Sequence, residues 1–165
     1  MVPFPSTAQH SDFTDEFVNR FLIHFEQSSD KLLQLAEVVP EELYEWSPDG
    51  EAMPFATVFT HIARHNYTLP SLWLGVEIPN DIDIDGMEDI TDKKEVIEIL
   101  SRSVDHVKNH IPEVSEEQLT QPVTIFGDDT KGWAALFLLI AHMNEHVGQA
   151  ISYSRMNGIV PPWSR

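Results

Sequence analysis

The chain has 165 residues, 42% of them apolar, which suits one folded domain burying about 70% of its unfolded surface. Its 27 acidic residues outnumber 10 basic ones, for a net charge of -17, and such a surface repels phosphate backbones and anionic membranes, disfavouring nucleic-acid and membrane partners. There is no cysteine, so disulfides, thiolate metal sites and cysteine nucleophiles are excluded, and any metal must be held by imidazole and carboxylate.

Taken in order, the N-terminus Met1-Val2-Pro3-Phe4-Pro5 lacks the basic and apolar regions of a signal peptide. A first helix is expected over about Asp12 to Val38, where Phe13, Phe17, Phe21, Phe25, Leu32 and Leu35 recur at helical spacing, and Pro40 stops it. A second starts near Pro54, with Phe55, Val58, Phe59 and Ile62 on one face, and is expected to end before Pro70. A third follows Thr91-Asp92, with Asp92 and Glu95 as a capping pair and a stripe of Val96, Leu100, Val104, Val107 and Ile111, until Pro112. The fourth runs from near Gly132 to Met156, with Gly158 and Pro161-Pro162 as its stop. From Trp133 to Met143 it is apolar on nearly every side, which predicts burial all round.

Extended pieces such as Val123 to Phe126 are too few for a sheet, so the expectation is a single all-α domain over residues 1–165, a bundle of four long helices. Pro40-Glu41-Glu42-Leu43 and Pro112 with Glu116-Glu117-Gln118-Leu119 hint at a pseudo-two-fold arrangement. The longest apolar run, Trp133 to Ala141, falls far short of the roughly 20 residues of a membrane span. A cytoplasmic location is expected.

His142 and His146, four apart, share one face of the fourth helix with Ala135, Leu139 and Tyr153. That spacing lets two imidazoles share one cation, and a third ligand must come from another helix. His61 and His65, again four apart, are candidates; periodicity leaves the choice open and slightly favours His65, which lies nearer the centre of its stripe. His24, beside Phe21 and Phe25, is a further candidate. His106 and His110 repeat the spacing at the margin of the third stripe and read as surface residues.

Two sharper motifs fail on context. His142-Met143-Asn144-Glu145-His146 matches the H-x-x-E-H of some zinc peptidases, but no downstream carboxylate follows and Glu145 points away from the pair. Asp81-Ile82-Asp83-Ile84-Asp85-Gly86, ending at Asp92, fits a calcium loop, but prolines break the incoming helix and Glu88 replaces an apolar residue. A solvated acidic connector is the better reading, placed where it can lie over the mouth of a site. Trp46, Trp73, Trp133 and Trp163 are expected to pack the bundle, and Tyr67 to Leu74 reads as a candidate dimer contact. No phosphate loop, G-x-S-x-G or dinucleotide fingerprint is present.

The run His142-x-x-x-His146-Val147-Gly148-Gln149, the tail Arg155-Met156-Asn157-Gly158 with Pro161-Pro162, and Trp46-Ser47-Pro48 leading to His61-Ile62-Ala63 resemble the motifs of the DinB/YfiT-like superfamily. The resemblance spans nearly the whole chain. It implies an up-down-down-up four-helix bundle, and a nickel or zinc ion on His61, His142 and His146, with His65 as a supporting group or alternate ligand. It also implies a homodimer. Gln149, Tyr153 and Asn144 are candidates to support the ligands. Three neutral imidazoles leave a divalent ion an open position, which suits activation of water or of a low-molecular-weight thiol toward a small-molecule substrate, as in a hydrolase or an S-transferase. The competing reading is a non-catalytic metal- or small-ligand-binding domain of a stress response.

Overall fold

A computed structural model of the protein describes residues 11–164; the N-terminal residues 1–5 read above lie outside them. The first helix, α1, spans Asp12–Val38. Ser11 caps it by accepting the Thr14 N–H, and Asp12 and Asp15 place negative charge at the positive end of its dipole. Phe21, Phe25, Leu32 and Leu35 turn inward as their spacing requires, whereas Phe13 is 78% exposed, so the apolar stripe is covered only after its first turns.

The second helix, α2, spans Phe55–Leu74 and buries Phe55, Val58, Phe59 and Ile62. It does not stop before Pro70. The proline lies inside its final turns, and Gly75, at φ 70, adopts the left-handed conformation that ends it. The N–H groups of Gly75 and Val76 donate back to the Ser71 and Pro70 carbonyls, so the helix end is satisfied despite the missing proline donor. Within the segment 67–74, Tyr67, Leu69, Pro70 and Leu74 are buried in the protein's own core, while Leu72 remains 68% exposed.

The third helix, α3, spans Lys93–His110, with the Asp92 carboxylate accepting the Glu95 N–H at its start. All of Val96, Leu100, Val104, Val107 and Ile111 are buried. A short helix α4, Glu116–Thr120, follows, closed by a reciprocal Ser115–Gln118 capping box. Next comes a hairpin, β1 Pro122–Ile125 against β2 Asp128–Lys131; its first strand covers most of the extended piece expected at Val123 to Phe126, whereas the second strand was not expected. The strands are antiparallel, Val123 facing Thr130 and Ile125 facing Asp128. The last long helix, α5, spans Ala134–Met156, and Gly158, at φ 73, follows it.

The four long helices form the bundle. Helix α2 packs against both α3 and α5, and α1 against α5 and α3. Burying side chains such as Phe25, Phe59 or Leu100 contributes about 1.5–3 kcal/mol each. Among the described residues no helix is long and apolar enough to cross a membrane. Nor is α5 buried all round. Trp133 is 39% and Phe137 57% exposed, and with Phe13 and Phe17 they form an uncovered apolar face between α1 and α5. Trp46 packs as expected, against Phe55 and Tyr153, but Trp133 and Trp163 stay partly in solvent.

The hairpin is fastened to the end of α2. Gln118 donates to the Leu74 carbonyl at 2.6 Å, Gln121 to that of Trp73 at 3.1 Å, and the Trp73 indole donates to Thr124 at 3.1 Å. Gly132 sits in this seam, where an added methyl would overlap the Gln118 carbonyl oxygen and press on Leu74. Gly132→Ala is therefore expected to cost about 3 kcal/mol through overpacking, read as a lowered urea midpoint. An unchanged midpoint would show that the seam opens freely.

Candidate metal centre

His61 and His65 lie one turn apart on α2, and His142 and His146 one turn apart on α5. Because α2 and α5 pack directly on each other, the two pairs face one another. Nε2 of His142 stands 3.1 Å from Nε2 of His61 and 3.2 Å from Nε2 of His146. His65 joins from the other side, its ring centre 4.2 Å from that of His142. One ligand atom from each of His61, His65 and His142 falls within 4.8 Å of the others. The cluster is thus four histidines deep, with all side chains partly buried.

The far nitrogens fix the ring tautomers. Nδ1 of His61 faces the Glu88 carboxylate at 2.9 Å and must carry a proton to donate there. The His65 Nδ1–H donates to the His61 carbonyl at 2.8 Å. Nδ1 of His146 meets Oε1 of Gln149 at 2.8 Å, and Gln149 in turn donates to the Tyr153 hydroxyl at 2.8 Å. Each contact leaves an Nε2 lone pair directed at the cluster, the arrangement by which neighbours orient metal-binding imidazoles.

Burial favours the neutral form of two of the rings, His142 and His65. Burial, together with the neighbouring His65, His146 and His61, pushes the pKa of His142 down to about 3. Burial also lowers that of His65, partly opposed by its bond to the His61 carbonyl. With His61 bare at Nε2, the single site at His142 Nε2 cannot place its own proton in both short contacts. A cation between the three nitrogens relieves this. Two nitrogens bound tetrahedrally to one zinc at about 2.0–2.1 Å stand about 3.3 Å apart, close to the two spacings found at His142, and the ligand atoms that all fall within 4.8 Å of one another are those of His61, His65 and His142, so the histidine cluster fits a divalent ion.

Of the supporting residues named from sequence, Gln149 reaches His146 directly and Tyr153 only through Gln149, and His65 is within the cluster itself. Asn144 does not serve it: its amide donates to the Ile140 carbonyl and accepts from Ser28 of α1. His24 is exposed on α1 and lines a separate apolar depression with Phe17, Phe21 and Phe137. Inward placement failed for His24 because its helix turns the ring past the edge of the Phe21–Phe25 stripe. Glu88 is the residue that sequence reading missed. It arrives on a 3-10 turn, Met87–Asp89, anchored by the buried Met87. The acidic connector does cover the site, through this carboxylate, and an Asp81–Arg102 pair at 2.6 Å fastens it to α3.

His106 is a further correction. It is not a surface residue but 6% exposed, packed against Tyr67 at 4.8 Å between ring centres.

A family model of the DinB superfamily matches residues 24–150, most of the chain, and the protein belongs to that superfamily. Its fold is similar to that of a DinB-like protein from Bacillus cereus, with a TM-score of 0.70 and 19% identity over 87% of this chain and 95% of that one. A conserved protein from Enterococcus faecalis is also similar, with a TM-score of 0.56 and 17% identity over 87% of this chain and 94% of that one. At these identities the likeness is one of fold. No curated protein matches the chain.

Proposed function

We propose that the protein is a metal-dependent enzyme in which His61, His142 and His146 hold one nickel or zinc ion. The observation that carries this reading is that Nε2 of His142 stands within 3.1–3.2 Å of Nε2 of both His61 and His146, whose rings are oriented from behind by Glu88 and by the Gln149–Tyr153 pair. When bound, the ion supplies Lewis acidity toward a water or a low-molecular-weight thiol, consistent with hydrolase or S-transferase chemistry. Glu88 holds the proton on Nδ1 of His61 and brings negative charge to the back of that ring, raising its basicity as a ligand. Gln149 holds the His146 ring in register, and the bare Nε2 of His65 stands ready to accept a hydrogen bond within the cluster.

Protein purified without a polyhistidine tag is expected to carry about one nickel or zinc per chain, and to turn over an ester, or an electrophile with added thiol, only when loaded. His146→Ala should lose the metal and His65→Ala should keep it. The reverse pattern would transfer the site to His61, His65 and His142. Absence of stoichiometric metal from protein loaded with either ion would end the proposal, and metal without turnover would favour a binding domain.

A further inference from the structure

Phe126 is in a place that folding does not account for. It occupies the first central position of the hairpin turn at φ 51, followed by Gly127 at φ 94. Two positive φ values in a two-residue hairpin loop favour Asn, Asp or Gly at the first position, and a bulky side chain in the left-handed region is strained. The strain is not offset by burial, since Phe126 is 83% exposed. Its one ring partner among the described residues is Trp73, packed edge to face at 6.0 Å between centres. Strained residues that packing does not explain concentrate at ligand-binding sites.

The two aromatic rings stand over a cavity of about 390 Å³ on the outer side of α2, whose wall includes Arg64, His65, Thr68 and Ile78. His65 borders this cavity with one side and the histidine cluster with the other. Trp73 is held in place by its bond to the Thr124 carbonyl, so the hairpin tip and the helix end form a preset aromatic wall. Arg64 supplies charge at the same place. Its Nε is 3.9 Å from Glu88, which is already engaged by His61, and its terminal nitrogens make no hydrogen bond within the described residues. A guanidinium with free terminal donors beside an aromatic wall is a local cationic point that suits a carboxylate, against the repulsion of the acidic surface around it.

We propose that this cavity binds a small molecule with a flat apolar body and one carboxylate, the body against Trp73 and Phe126 and the carboxylate on Arg64. Its significance as a substrate site rests on the metal reading above; its existence as a binding site does not. In that position the ligand borders His65, a member of the histidine cluster.

The probe is 4-fluorophenylacetate, with 4-fluorophenylacetamide as its neutral partner, followed by fluorine NMR on full-length protein of measured metal content. The acid is expected to bind about tenfold more tightly than the amide, the discrimination available from one charged hydrogen-bonding pair. Arg64→Gln should abolish that preference and Arg64→Lys restore part of it. Phe126→Asn should weaken both ligands about tenfold without lowering the thermal midpoint, because Asn suits the turn. Equal binding of acid and amide by the unmodified protein, wild-type binding by Phe126→Asn, or a lowered midpoint in that variant would each overturn the proposal. Stoichiometric metal with no bound acid sinks the cavity alone, whereas acid binding that depends on Arg64 and Phe126 in a chain unable to hold metal sinks only the metal reading.

Discussion

Replacing His142 with alanine is expected to eliminate stoichiometric metal while leaving the helical circular-dichroism signal essentially unchanged. His142 is the shared member of both short contacts, 3.1 Å to His61 and 3.2 Å to His146. Without it the proposed ligand set is reduced to His61 and His146, on different helices with nothing between them, and two imidazoles hold a divalent ion poorly. The fold should tolerate the change. The side chain is only partly buried, no group among the described residues is bonded to its Nδ1, and alanine is the best helix former at the middle of α5. Glu88→Gln gives a graded comparison, since the partner behind His61 would be kept in shape but lose its charge. Its metal affinity should fall about 10–100-fold, less than the loss caused by His142→Ala. Competition with a chelator reads both. A His142→Ala protein that keeps a full equivalent of metal would refute the three-histidine assignment.

What the sequence made legible, and what it did not, follows from the range of the interactions involved. The bounds of α1 and the stripe of α3 are local matters, set by proline, by Ser11 and Asp92 as caps, and by period, and they agree with the structure. Proline 70 misled because its local penalty was weighed alone. Its missing donor matters little where Gly75 and Val76 return N–H groups to the last carbonyls. The hairpin's second strand was missed because Asp128-Asp129-Thr130-Lys131 carries no strand signal of its own and is held by its partner and by Trp73.

At the site, His142 and His146 were legible as a pair because both ligands sit on one helix. His61 and His65 were harder. Both reach the cluster, and a one-turn offset along α2 does not decide between them in any helical projection. Glu88 could not have been singled out among 27 acidic residues, since its role depends on how an irregular connector folds back over α2. The exposure of Phe137 shows the opposite limit. An all-round apolar segment satisfies the pattern for central burial, yet nothing among the described residues covers that side of α5.

Acid should destabilise the protein through His106, and His106→Phe should remove that sensitivity. The ring lies on Tyr67 of α2, its Nε2 is buried with no hydrogen-bond partner among the described residues, and the His110 ring on its own helix stands 4.4 Å away between centres. Burial first, then His110, lowers its pKa to about 4. The unfolded chain titrates near 6.5. Above that pH both states are neutral and nothing is lost. Between roughly pH 6.5 and 4 the unfolded state takes up a proton that the folded state refuses, so stability falls by about 1.4 kcal/mol per pH unit and levels off below 4. The total is about 3 kcal/mol. Phenylalanine keeps the aromatic contact and removes both the titration and the unpartnered nitrogen, so the variant should be no less stable at pH 7. Its many carboxylates also lose charge across this range, a change that weakens self-repulsion equally in both proteins and cancels in their difference. Urea unfolding of the two proteins from pH 7 to pH 4 should therefore show curves that diverge as the pH falls. Parallel curves would mean that the folded state accepts the proton at this position without penalty.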